Sequence, residues 1–371
     1  MDPRLSKLAN LLVRYSGAVK PGEKVFVECE AIALPWMEAV VKEAVRAGAH
    51  VETRLYAQNI SEIVLRHASD EQLLQGSAIS RLIAETADVD LSAWGTNNTR
   101  GLTGIAPERM KLRSKGATDA RRIFSERMGS GALRWCGTQF PTEADAQEAD
   151  MSLAEYEDFV YGAGLLDKDD PIAEWTRISA EQERWTKWLD TKAELHIVSE
   201  GTDIRVKTAG RKWINCDGHV NFPDGEVFTS PVEDGIDGHI TFSFPGIYAG
   251  REVEGIRLEV EKGLIVKATA TKGEELLHAL MDTDDGAKRF GEVAIGTNYG
   301  ITKFTRNMLF DEKIGGTVHM AIGDSMPDAG GLNRSVIHWD MLCDMRSGGR
   351  IYADGILFHE NGQFLREVLE G

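Results

Sequence analysis

The chain has 371 residues, 42% of them hydrophobic and 27% charged, with a formal net charge of −17. Its length exceeds what one ordinary core organises and predicts two domains, expected over residues 1–185 and 186–371. The acidic balance argues against nucleic acid and anionic membranes as partners, because both need a positive surface, and it permits a cationic substrate. No apolar run approaches the ~20 residues that span a bilayer. The opening Met1-Asp2-Pro3-Arg4-Leu5 lacks a basic region ahead of an apolar stretch, so a cytoplasmic location is expected. Cys29, Cys136, Cys216 and Cys343 are scattered with no Cys-x-x-Cys pair, which argues against a thiolate zinc site and a disulfide framework.

Asp2 before Pro3 marks a helix start, and Leu5, Leu8, Leu12 and Tyr15 follow at helical spacing. Residues 24–29 read as a strand, 35–47 as a helix closed by Gly48, and 50–56 as a second strand. Short helices over 60–87 lead to a strand at 89–94, a helix near 107–128 and a strand at 133–136. This alternation predicts an α/β N-terminal domain with a mostly parallel sheet covered on both faces. Neither GxGxxG after the first strand nor GxxxxGK[ST] is present, so the phosphate-cradling loops of nucleotide binders are missing.

Residues 151–190 are helical, polar and aromatic, with Tyr156, Phe159, Tyr161, Trp175, Trp185 and Trp188. They suit an interdomain or dimer surface and, equally, simple packing. From Ala193 onward the pattern changes to short strands at 194–198, 203–208, 227–230 and 239–244 and a hairpin of 257–260 with 264–267. Helices at 274–281 and 285–290 interrupt them, so an α+β C-terminal domain rich in antiparallel strands is expected.

Near the C-terminus His338 and Asp340 lie at i and i+2 of a β-prone run and therefore leave the same face of a strand, while Ile337 and Trp339 point into packing. His319, in a second apolar run, can complete a His, His, carboxylate set of the kind that holds Zn, Mn, Co or Fe. Two glutamates stand in expected turn contexts: Glu226 after Pro223-Asp224-Gly225, and Glu292 after Phe290-Gly291 at the expected end of a helix. By position alone each is one among 59 acidic residues. Of the other histidines only His219 and His239, nearest Glu226 in sequence, are candidates for supporting it.

The runs Asn221 to Val227, Gly291 to Gly296, Gly316 to Gly323 and Asn333 to Asp340, in that order, resemble the aminopeptidase T family of dinuclear metallopeptidases. The resemblance extends upstream through Arg134 to Thr142 and Met151 to Tyr156. It implies that Glu226, Glu292, His319, His338 and Asp340 bind two divalent ions per subunit, zinc, cobalt or manganese. It also implies a two-domain subunit that dimerises around a restricted cavity and releases N-terminal residues from short peptides. Such ions lower the pKa of a bridging water and polarise the scissile carbonyl; Glu292 can serve there as ligand or as base. The three carboxylates and two neutral imidazoles carry −3 against the +4 of the metals, an excess for a hydroxide to offset.

One position departs from the family pattern. Peptidase members carry a tyrosine seven residues after the first motif histidine, and here that residue is Met326, which has no proton to give a developing oxyanion. Tyr299 and Ser325 are the nearest substitutes in sequence. The departure keeps a small-molecule amidohydrolase or deaminase in view. A mononuclear iron dioxygenase that opens dihydroxypyridine rings, on a related scaffold, is the next alternative, and a non-catalytic binding protein the last.

Overall fold

A computed structural model describes residues 2–248 and 250–370, and the chain divides into two compact units, Met1–Glu174 with Gly218–Pro223, and Trp175–Asp217 with Asp224–Gly371. The division falls within the helix Pro171–Leu189, eleven residues before the expected boundary at 185. Residues 218–223 return to the first unit because the strand Asn221–Phe222 pairs with Arg134–Gln139.

The first unit holds a five-stranded, all-parallel sheet in the order His50–Tyr56, Lys24–Glu30, Val89–Trp94, Arg134–Gln139, Asn221–Phe222. Val25, Val27 and Cys29 are buried on one face, while Phe26 faces the other way and packs with Ile83, Ala87, Phe124, Met128 and Trp135. Helices thus cover both faces, as the βα alternation predicts. The helix expected over 107–128 is two, Pro107–Gly116 and Thr118–Gly129. Gly116 lies so close to the helix Asp70–Leu74 that a Cβ there would sit 2.5 Å from the Leu73 carbonyl oxygen.

The second unit contains two large antiparallel sheets and a two-stranded antiparallel ribbon of Gly246–Tyr248 with Arg251–Val253. An eight-stranded one runs Leu264–Thr269, Arg257–Glu261, Ile236–Thr241, Thr202–Lys207, Glu194–Ser199, Arg350–Ala353, Ile356–Glu360, Gln363–Phe364. A five-stranded one runs His338–Asp344, Thr317–Gly323, Phe290–Gly296, Glu226–Thr229, Ile214–Cys216. One apolar core draws on both: Ile204, Val206, Ile240 and Leu258 from the larger, Val227, Val293, Ile295, Val318, Met320, Ile322, Trp339 and Met341 from the smaller. Trp185 belongs to this core and packs against Trp188, Phe358 and Phe364. Tyr156 and Trp175 are also buried within the chain, in keeping with the simple packing expected as one reading of residues 151–190. Among the described residues no helix is long and apolar enough to cross a membrane.

Candidate metal centre

Alternation along the smaller sheet of the second unit decides which residues meet. Val227, Val293, Ile295, Val318, Met320, Trp339 and Met341 enter the core, so Glu226, Glu292, His319, His338 and Asp340, at the intervening positions, share the opposite face. The register aligns them: Glu292 lies opposite Ala321, which lies opposite Asp340, and Ala294 is opposite His319. Glu226 faces Gly296, and His338 faces Gly323. Alanines and glycines between the long side chains leave room for their ends to converge.

Glu292 does not follow a helix in a turn, as its context suggests. It occupies the fully buried central strand Phe290–Gly296, and only a short 3-10 turn, Asp285–Lys288, precedes it. A bulge between Phe290 and Glu292 re-aims its side chain. Gly291 permits the bulge, since a Cβ there would lie 2.1 Å from the Asp324 carbonyl oxygen.

The five residues form two overlapping triads, Glu226–Glu292–His319 and Glu292–His338–Asp340, each with its donor atoms within 4.8 Å of one another. His319 Nε2 lies 3.3 Å from Glu226 Oε2 and 3.3 Å from Glu292 Oε1. His338 Nε2 lies 3.4 Å from Glu292 Oε2 and 3.5 Å from Asp340 Oδ1. Glu292 therefore turns one oxygen to each histidine. His338 Nδ1 is 2.8 Å from the Asp324 carbonyl oxygen, which orients the ring and leaves Nε2 for the cluster. Glu226, Glu292, His319 and Asp340 are buried, and the side chain of His338 retains 27% of its exposure, marking the open side.

Burial and mutual charge set the proton affinities. Burial pushes Glu226 up to about 8 despite the opposing Lys313 ammonium, and burial also raises Glu292. Burial disfavours charge on His319 and His338, but the carboxylates around them outweigh it, lifting His319 to about 9 and His338 to about 10. Burial would raise Asp340, yet the His338 partner wins and holds it below the usual range. The cluster is thus built to attract cations.

A divalent ion fits this donor set. Two ligand atoms each ~2.0–2.1 Å from a tetrahedral ion lie roughly 3.3–3.4 Å apart, close to the 3.3–3.5 Å separations here. One buried oxygen of this set, Glu226 Oε2, has no hydrogen-bond partner. Oxygen and imidazole donors suit zinc, cobalt and manganese.

Other residues join the cluster that the sequence did not single out. Glu312 reaches His319 and Asp340 within the same 4.8 Å limit, as do Cys216 and Asp224 with Glu226, and the fully buried Lys313 lies among the carboxylates. The run Asp311-Glu312-Lys313 offers no periodic signal for this, and loop closure alone carries it inward. His239 instead stands opposite Glu259 in the larger sheet, and the His219 ring packs at a tilt against Tyr15 in the first unit. Met326 is half-buried at the start of the turn Pro327–Ala329. Neither proposed substitute has an idle hydroxyl: Tyr299 donates to the Gly362 carbonyl at 2.9 Å and Ser325 to the Asn333 carbonyl at 2.8 Å.

An α/β unit with a parallel sheet, combined with a second unit of antiparallel sheets, is an arrangement shared with wild-type AmpT from Thermus thermophilus. The two structures align over 98% of this chain and 99% of that one with a TM-score of 0.84, at 24% sequence identity. In sequence, the chain is 28% identical to Aminopeptidase 2 of Geobacillus stearothermophilus over 92% of each chain, and 28% identical to Aminopeptidase T of Thermus thermophilus over 95% of each. Aminopeptidase AmpS of Bacillus subtilis is 27% identical over 95% of each chain. The thermophilic metalloprotease (M29) family model matches residues 1–364, and the chain belongs to that family. The resemblance read from its motifs is borne out, and membership makes the protein a metal-dependent hydrolase.

Proposed function

We propose that the chain is an aminopeptidase that removes N-terminal residues from short peptides, with Glu226, Glu292, His319, His338 and Asp340 holding two divalent ions in the second unit. The observation that carries this reading is the division of one carboxylate between two histidines, Glu292 Oε1 with His319 and Oε2 with His338. It supports Glu292 as a residue common to both triads, one oxygen toward each histidine, and it favours Glu292 as ligand over Glu292 as base. The names of the relatives support the substrate class. The bound ions would supply a water acidic enough to attack at neutral pH and a polarised carbonyl. The chain's own contribution is orientation: the Asp324 carbonyl fixes the His338 ring, and the bulge at Gly291 aims Glu292.

A mononuclear iron oxygenase would use one triad and leave the carboxylates of the other unbalanced. A small-molecule amidohydrolase is the second reading, favoured by one observation: position 326 lacks a phenol, and Tyr299 and Ser325 donate elsewhere. The deciding experiment is metal analysis of the loaded protein with a screen of aminoacyl chromogenic substrates, short peptides and simple amides. Two zinc, cobalt or manganese ions per chain with release of N-terminal residues is expected. One oxygen-sensitive iron, or no metal, would overturn the reading, and turnover of simple amides alone would favour the second. The proposal includes a cytoplasmic homodimer that spares folded proteins; a monomer at micromolar concentration in sedimentation would contradict the dimer.

A further inference from the structure

Lys313 is wholly buried, and three carboxylates surround its ammonium. Its ammonium lies 3.6 Å from Glu226 Oε1 and 3.8 Å from Asp224 Oδ1 and is in close contact with Glu312 Oε1. The backbone fixes it there, its N–H donating to the Phe310 carbonyl and its carbonyl accepting from the Asn298 N–H, each at 3.0 Å. Burying a lysine costs several kcal/mol unless partners compensate. Here burial pushes the ammonium toward neutrality, but Glu226, Glu312 and Asp224 outweigh it and keep it charged.

The lysine also sorts the oxygens of Glu226. Oε1 faces Lys313, while Oε2, which has no hydrogen-bond partner, faces His319. On the lysine side a third set of donors converges: Cys216, opposite Glu226 in the sheet register, brings its sulfur within 4.8 Å of donor oxygens of Asp224 and Glu226. With Asp224 and Glu312 included, five carboxylates converge here, and Lys313 is in contact with three of them, Asp224, Glu226 and Glu312.

We propose that Lys313 is a built-in cation of the metal centre, a positioning residue that fills what would otherwise be a third cation pocket of Cys216, Asp224 and Glu226, and so confines divalent ions to the Glu292 side. The inference rests on the metal-centre reading for the location of those ions. Its test is a difference from wild type and therefore does not depend on how many ions the wild type holds.

The experiment loads full-length wild type, Lys313→Ala and Lys313→Met with cobalt(II), removes excess by gel filtration, and measures ions per chain and absorption. Lys313→Ala, which vacates the pocket, is expected to bind one ion more than wild type. It should also gain the near-ultraviolet thiolate-to-cobalt absorption of Cys216, whose thiol proton passes to solvent on coordination. Lys313→Met fills the space with an uncharged chain and should show neither change, and Cys216→Ser in the alanine background should remove the absorption. A purely structural lysine would not produce a cobalt–thiolate band. A folded Lys313→Ala with the wild-type ion count and no band overturns the proposal, as does a wild type that already shows the band. If Lys313→Ala folds only when cobalt is present, and then shows the band, the ion has replaced the ammonium as proposed; failure to refold with cobalt, under conditions where wild type refolds, counts against it.

Discussion

Both units bury carboxylates in the middle of a sheet, and only one gathers them with imidazoles. In the first unit Asp90, on the central strand Val89–Trp94, is 4% exposed, and its Oδ1 has no hydrogen-bond partner. Burial, reinforced by the nearby Glu28 carboxylate, pushes it up to about 8. Glu28 itself pairs with Arg54 at 3.1 Å, so the acids there are dispersed rather than gathered around a cation. In the second unit Glu226, Glu292 and Asp340 converge with two imidazoles on one face of an antiparallel sheet. A perturbed carboxylate is common to both regions; convergence of donors on one face distinguishes the second. The parallel sheet, packed by helices on both faces, has no face to spare for such a group. The smaller antiparallel sheet commits one face to the core and gathers the donor atoms on the other.

The largest effect that sharpens this contrast is loss of a ligand. Glu292→Ala or His338→Ala should lower hydrolysis roughly a thousandfold or more, since Lewis-acid stabilisation supplies several kcal/mol, while circular dichroism shows the fold retained. Asp90→Asn should leave turnover unchanged. Near-native turnover in metal-loaded Glu292→Ala would erase the contrast between the two kinds of buried acid.

Metal removal comes next. A chelator should abolish activity, and zinc, cobalt or manganese should restore it. Because the carboxylates lift His319 to about 9 and His338 to about 10, both rings hold protons at neutral pH that a metal must displace. Apparent metal affinity should therefore rise with pH up to about 9, by roughly ten- to a hundredfold per unit for one or two protons released. Competition titrations at pH 6, 7 and 8 measure this, and an affinity independent of pH would show that the imidazoles are not the ligands.

Met326→Tyr should raise kcat on aminoacyl substrates, by up to the ~10²–10³ that one oxyanion donor contributes, with metal content unchanged. An unchanged or lower kcat in folded, loaded protein would retire position 326 as the place of the missing donor.

The smallest effects concern stability, and their signs differ between the units. Asp90 keeps a proton in the folded chain that the unfolded chain loses above the ordinary value of 3.8, so its contribution makes stability fall as pH rises from there toward 8. Asp90→Asn should remove that slope and stabilise the chain at pH 8, because an amide has no proton to lose to solvent on unfolding. His359, in the second unit, is fully buried, and burial pushes it down to about 4. The unfolded chain binds a proton near 6.5 that the folded chain refuses, so this contribution makes stability fall as pH drops from 6.5 toward 4. His359→Phe should flatten the acid side. Hydrogen exchange in Val89–Trp94 and Ile356–Glu360 reads the two slopes separately, and parallel slopes would contradict the assignment.

What the sequence determined by itself was local and periodic. The spacing of Leu5 and Leu8, the βα alternation through residue 139 and the period of two around His338 and Asp340 each follow from side-chain direction along one element. Those signals were enough to place His319, His338 and Asp340 as candidate donors, and motif order added Glu226 and Glu292. Tertiary structure decided the rest. Glu292 reads as a turn carboxylate because Gly291 precedes it, yet sheet pairing makes that glycine a bulge in a buried strand. The roles of Asp224, Glu312 and Lys313 depend on strands and loops brought together from residues 216 to 340, and pairing across such separations leaves no period in the chain. A buried lysine and a solvated one look alike in sequence, because the difference lies in the field of carboxylates contributed by other segments, and that field exists only once the sheet has formed.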